Sequence, residues 1–136
     1  MTSEIVRQGR AAWGRLKKGN GDWTDWILVG AALLEGRKIA MHNARTDRAS
    51  GTGYVQALQS WQLANRLDLR PLERNDLFKV MAILPDIEAW RATLPPARRA
   101  RIGRPAAVLH NYRKATRPAL ERVTPPSQAD LRSSRC

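Results

Sequence analysis

The stretch from Asp22 to Met41 carries apolar side chains on two opposite sides of one helix. Trp23, Trp26, Ile27, Gly30, Leu33, Leu34, Arg37 and Met41 share a broad face at helical spacing, and Leu28, Ala32 and Ile39 lie opposite. A helix that is apolar on both sides needs neighbours on both sides, so the pattern predicts a central helix inside a helical domain. Its apolar run, WILVGAALL (Trp26–Leu34), has nine residues, about half of what crosses a bilayer, so it belongs in a protein core. Asp22 is placed to cap this helix, and Asp25, three residues on, completes a capping-box-like start that also favours the helix dipole. Gly30 and Gly36 weaken an isolated helix by about 1 kcal/mol each relative to Ala. Close packing of a neighbour is a physical reason to keep them.

The remaining segments arrange themselves around this helix. A first helix is expected over about Glu4 to Lys18, with Ser3 as N-cap and with Ile5, Ala12, Trp13 and Leu16 inward; Gly19-Asn20-Gly21 stops it. Arg45–Gly53 reads as a polar loop. A third helix from about Tyr54 to Arg66 turns Tyr54, Leu58 and Trp61 inward. A fourth covers Leu72–Leu84, with Leu77, Val80, Met81 and Leu84 inward. Pro85 is expected to start a fifth helix rather than kink the fourth, because proline fits a first helical turn and breaks an interior. That helix carries Ile87, Trp90 and Leu94 and ends at Pro95-Pro96. A short helical turn at Ala97–Ile102, a turn at Gly103-Arg104 and a helix from Pro105 to about Thr116 follow. No strand-like alternation and no long repeat is visible. The expectation is an all-α protein, a compact bundle of five to seven helices forming one domain over residues 1–116. A flexible basic tail is expected over 117–136, where Pro and Ser are frequent.

Catalysis and metal binding find little to use. His42 and His110 are the two histidines and Cys136, the last residue, is the one cysteine. No internal disulfide, cysteine-based zinc site or H-E-x-x-H pair is available to them. Cys136 is also misplaced for a prenylation box, which needs its cysteine fourth from the end. The absence of disulfide pairing and of an N-terminal apolar run fits a cytoplasmic protein. Ala49–Gly53 (ASGTG) lacks the Lys-Ser/Thr ending of a phosphate loop and has no strand before it. Asp22 and Asp25 are explained by the helix start. No catalytic residue, metal or cofactor is expected.

Charge is the feature that speaks of partners. The 136 residues hold 24 Lys or Arg against 12 Asp or Glu, and residues 91–136 alone hold eleven against two. Such an excess fits nucleic acid or an acidic protein. The stretch PPARRARIGRPAAVLHNYRK (Pro95–Lys114) can form a helix-turn-helix, in which two short helices meet at a tight turn and the second enters the major groove. Ile102, Val108, Leu109 and Tyr112 would anchor the pair to the body. Arg104, His110, Asn111, Arg113 and Lys114 would face a duplex, since Asn can pair with adenine and Arg with guanine. Arg98, Arg99, Arg101 and Arg117 would hold phosphates and set register. A second basic set lies on the first helix: Arg7, Arg10, Lys17 and Lys18, with Arg15 beside them. The apolar face of that helix is too small for a membrane surface to be its partner. The five tryptophans fall on the apolar sides of their helices, so a core role outweighs base stacking; Trp23 and Trp26, at a helix start, are the expected exceptions.

Three segments, WILVGAALLEGRKIAM, GYVQALQSWQ and IEAWRATLPPARRARIGRPAAVLHNYRK, are similar to short helical proteins of bacterial and prophage genomes, a group without an assigned function. The matches fall loosely on Trp26 to Gly30, on Trp61, and on Trp90 to Leu94. The resemblance implies an intracellular helical protein of a mobile element and carries over no catalytic residue. The expected function is DNA binding as a regulator or accessory factor. The alternative is an adaptor or antirepressor whose basic face docks an acidic protein. A dimer would suit a palindromic site, although no heptad seam is evident.

Overall fold

The computed structural model describes residues 3–117. The 117–136 tail therefore lies outside the described residues from 118 onward, as does Cys136. Seven helices and no strand occur among the described residues: α1 (Glu4–Lys17), α2 (Trp23–Asn43), α3 (Thr52–Ala64), α4 (Pro71–Ala82), α5 (Leu84–Ala92), α6 (Pro96–Arg101) and α7 (Pro105–Ala115). Helix α2 is the central one. It packs against α1, α3 and α4, while α7 closes the far side against α4 and α5.

Helix starts follow local chemistry. The Ser3 hydroxyl accepts from the Val6 N–H at 3.2 Å. At α2 the capping box is complete: the Asp25 N–H donates to Asp22 Oδ1 and the Asp22 N–H to Asp25 Oδ2, both at 3.3 Å. Helices α4 to α7 each carry proline in the first turn, where its missing N–H costs nothing. Pro85 thus opens α5, and the chain turns at Ile83. Helix α1 ends at Gly19, whose φ of +82° suits a residue without a side chain. The Asn20 N–H donates to the Arg15 carbonyl at 2.9 Å and the Gly19 N–H to the Leu16 carbonyl at 3.1 Å, so two orphan carbonyls are satisfied.

The core runs along α2. Val29, Ala32 and Leu33 have no exposed surface, and Leu67, Leu77, Val80, Ile87 and Val108 join them in one continuous cluster. Tyr54, Leu58 and Ala40 form a smaller cluster under α3. Trp13 and Trp26 meet edge to face, 5.8 Å between centroids. On α1 Ala12 and Trp13 are buried and Leu16 packs on the core as expected, but Ile5 is 43% exposed, and Val6 and Gly9 are buried in its place. Gly9 is the reason. A Cβ there would lie 2.3 Å from Ala32 Cβ and 3.0 Å from the Leu28 carbonyl oxygen, so α1 and α2 touch through it and the contact face centres on it. Gly36 does the same for the Trp61 ring and Gly30 for Met81.

Two carboxylates tie α1 to its surroundings. The Arg15 guanidinium donates to Asp25 Oδ1 at 2.7 Å and holds the buried Asp25 carboxyl below the usual carboxylate range. The Trp13 indole N–H donates to Asp68 Oδ1 at 2.7 Å and, with Lys17, lowers Asp68 as well. A carboxylate depressed in the folded state contributes stability that is present above its unfolded pKa, about 3.9 for Asp. That stability is lost as pH falls through the folded value. Urea unfolding at pH 7 and pH 3 should show wild type weaker at pH 3. A double Asp25→Asn, Asp68→Asn variant should lose less on the same change. Equal losses would mean that these carboxylates do not carry the acid sensitivity.

Candidate functional site

The basic stretch folds into a corner on the end of the body. Helix α6 has six residues, none of them buried; three residues, Ile102-Gly103-Arg104, lead into α7, which has eleven. Its anchors are those the sequence named. Ile102, Val108 and Leu109 are buried, and the Tyr112 ring meets Trp90 edge to face at 5.7 Å.

Two arginines hold the corner together. Arg99 Nε donates to the Arg91 carbonyl at 3.1 Å, which also accepts from the Leu94 N–H, and Arg99 Nη2 to the Leu94 carbonyl at 3.0 Å, so Arg99 ties α6 to the end of α5 and the turn after it. Arg91 returns the favour. Its guanidinium donates to the Ile102 carbonyl and lies 4.5 Å over the Trp23 ring. Arg91 is only 6% exposed. Burial lowers its pKa from the ordinary arginine value, Glu88 nearby opposes this, and Arg99 adds to it. It stays charged, as arginine does in proteins. Arg99 is therefore bound to backbone within the corner, and Arg91 was not singled out by the sequence at all.

The outward side is different. On α7, Ala106, His110, Arg113 and Lys114 are exposed and fall within an arc of about 100° at helical spacing. Arg117 is also exposed, just past the end of the helix. These residues border a shallow depression of about 460 Å³, and Asp76 of α4 is the one acid on its edge. Arg98, Arg101 and Arg104 are exposed on α6 and the turn. No described carboxylate pairs with Arg98, Arg101, Arg104, Arg113 or Lys114. Asn111 is half-buried and its side-chain amide donates to the Ala107 carbonyl at 2.8 Å, one turn back on its own helix.

Compared with protein-family models, curated proteins and solved structures, the chain matches none.

The basic set on α1 is largely engaged within the protein. Arg7 pairs with Glu4, Arg10 donates to the Asn65 carbonyl at 3.1 Å, and Lys17 reaches Asp68 at 3.2 Å. Lys18 is exposed at the end of α1. The turn that follows it faces α6 across a groove of about 740 Å³, whose lining includes Gly19, Trp23, Glu88, Arg91, Arg101 and Arg104. No three His, Cys, Asp or Glu side chains converge among the described residues. Among the same residues, no helix is long and apolar enough to cross a membrane.

Proposed function

We propose that this protein binds duplex DNA through α6 and α7, as a small regulator or accessory factor. The observation that carries the reading is the uncompensated charge of this corner. Elsewhere Glu4, Asp25, Glu35, Asp68 and Glu73 each pair with a nearby Arg or Lys. Lys18, Arg45, Arg48, Arg66 and Lys79 also lack a described carboxylate partner, but Arg98, Arg101, Arg104, Arg113 and Lys114 are gathered on α6, the turn and α7, open to an outside anion. On this reading α6 and α7 act as a helix-turn-helix. Ala106, small and exposed, lets the start of α7 approach the major groove. His110, on the same side of the helix, reaches base edges, and Arg98, Arg101, Arg104, Arg113 and Lys114 neutralise phosphates.

The test is duplex binding measured against salt concentration. Neutralising about five phosphates gives a log–log slope of about −4.5. A protein that fails to bind duplex at low salt would overturn the proposal. A random-sequence duplex bound as well as any other would leave phosphate contact and remove base readout.

A further inference from the structure

The geometry points to the groove between the start of α2 and α6 as a pocket for one unpaired nucleobase next to the bound duplex, an inference that rests on the duplex-binding reading above. Helix α5 forms the base of this groove. The Trp23 indole N–H donates to Glu88 Oε2 at 2.8 Å, the Arg91 guanidinium lies over the Trp23 ring, and Arg99 of α6 is bonded to the Arg91 carbonyl of α5. The groove's volume, about 740 Å³, falls within the roughly 300–1,000 Å³ of small-ligand clefts.

Its chemistry is divided. Trp23 is half-buried and still lines the groove, with its indole fixed by Glu88 at the edge and Arg91 over one face. A fixed aromatic ring in a cleft is a stacking platform for a base. Arg101 and Arg104 border the same groove from the α6 side, are exposed, and have no described carboxylate partner. They suit the phosphate attached to such a base. Asp22 and Glu88 also line the groove. A run of phosphates would be repelled there, and so would an acidic peptide. The amino edge of a cytosine, adenine or guanine finds acceptors in the same carboxylates. A single base with its own phosphate is the ligand that matches all three features. Because Arg101 and Arg104 also belong to the proposed duplex face, the pocket would take a nucleotide leaving the end of a duplex or an opened pair within it.

The experiment compares full-length protein on three labelled probes at one salt concentration. One is a blunt duplex, one is the same duplex with a three-nucleotide 3′ or 5′ overhang, and one has the overhang made of abasic nucleotides. The normal overhang should tighten binding about tenfold in one of the two polarities, and the abasic overhang should give little of that gain. Trp23→Ala should remove the gain while leaving blunt-duplex affinity unchanged, and Trp23→Phe should keep part of it. The abasic probe needs no variant, so the outcome does not depend on whether Trp23→Ala folds. Blunt-duplex binding with no gain from either overhang overturns the pocket and leaves the duplex reading standing. An equal gain from the abasic overhang shows charge without a base and also overturns it. Failure to bind any probe overturns both.

Discussion

Gly9→Leu should destabilise the protein by about 3 kcal/mol or more, and Gly9→Ala by about 1–2 kcal/mol, in urea unfolding; overpacking a core contact typically costs about 1–3 kcal/mol, backbone shifts included, and this contact has little room to relax. A β-carbon at position 9 would sit 2.3 Å from Ala32 Cβ and 3.0 Å from the Leu28 carbonyl oxygen. Neither partner can move aside alone, since alanine has no rotamer and the carbonyl belongs to the backbone of α2. Relief requires α1 to lift from α2, which would loosen the burial of Trp13 and the Arg15–Asp25 pair. Helix propensity works the other way, because Ala is better than Gly in a helix interior by about 1 kcal/mol. The overlap wins because relieving it moves a whole helix. Gly30 is the control. A Cβ there meets Met81 Sδ at 2.6 Å, but methionine has a flexible side chain that can turn away, so Gly30→Ala should shift the midpoint far less. Midpoints that fall equally for Gly9→Leu and Gly30→Ala would mean that α1 and α2 do not meet through Gly9.

What the sequence made legible was mainly local. Asp22 and Asp25 read as a capped helix start because the two partners are three residues apart, and the structure closes both bonds. Pro85 and Pro105 read as helix openings because proline has so few places to stand. The two-sided α2 read as central because hydrophobic spacing reports burial directly. On α1 Ile5 was placed inward and Val6 and Gly9 take its place, because glycine has no hydropathy that announces a contact, and Gly9 is the point of closest approach. Arg99 has a second role that its charge does not announce, for a related reason. Sequence counts a guanidinium as charge, whereas it also has five N–H donors that can serve backbone carbonyls. Arg99 lies a few residues after the Leu94-Pro95-Pro96 stop, near enough to reach the Arg91 and Leu94 carbonyls. Arg10 and Lys17 find Asn65 and Asp68, 55 and 51 residues away in sequence, and no local pattern could place those partners. Trp23 and Trp26 were expected as a pair of exceptions to core packing, and they divided. Trp26 is buried and Trp23 only half-buried, although both border the groove.

Arg113→Glu combined with Lys114→Glu should weaken duplex binding by about 100-fold or more at about 0.1 M salt. Each phosphate contact contributes about 0.9 of a log unit per decade of salt, so losing two costs about 60-fold before repulsion is added. The neutral pair, Arg113→Gln with Lys114→Gln, should lower the salt slope from about −4.5 to about −2.7, as expected when five contacts become three. Folding should survive both changes, because Arg113 and Lys114 are exposed and have no described carboxylate partner. Two acids in the last turn of α7 oppose its dipole and cost about 0.3–1 kcal/mol each, so a melting curve must accompany the binding curve. Arg99→Gln supplies the contrast. It removes two bonds to the Arg91 and Leu94 carbonyls, so it should lower the melting temperature while leaving the salt slope nearly unchanged in the folded protein. Charge at α7 and charge at Arg99 look alike in sequence, and only the first is free to meet phosphate. A neutral pair that keeps the full slope would mean that α7 does not touch the duplex, and its cations would then be better matched to an acidic protein.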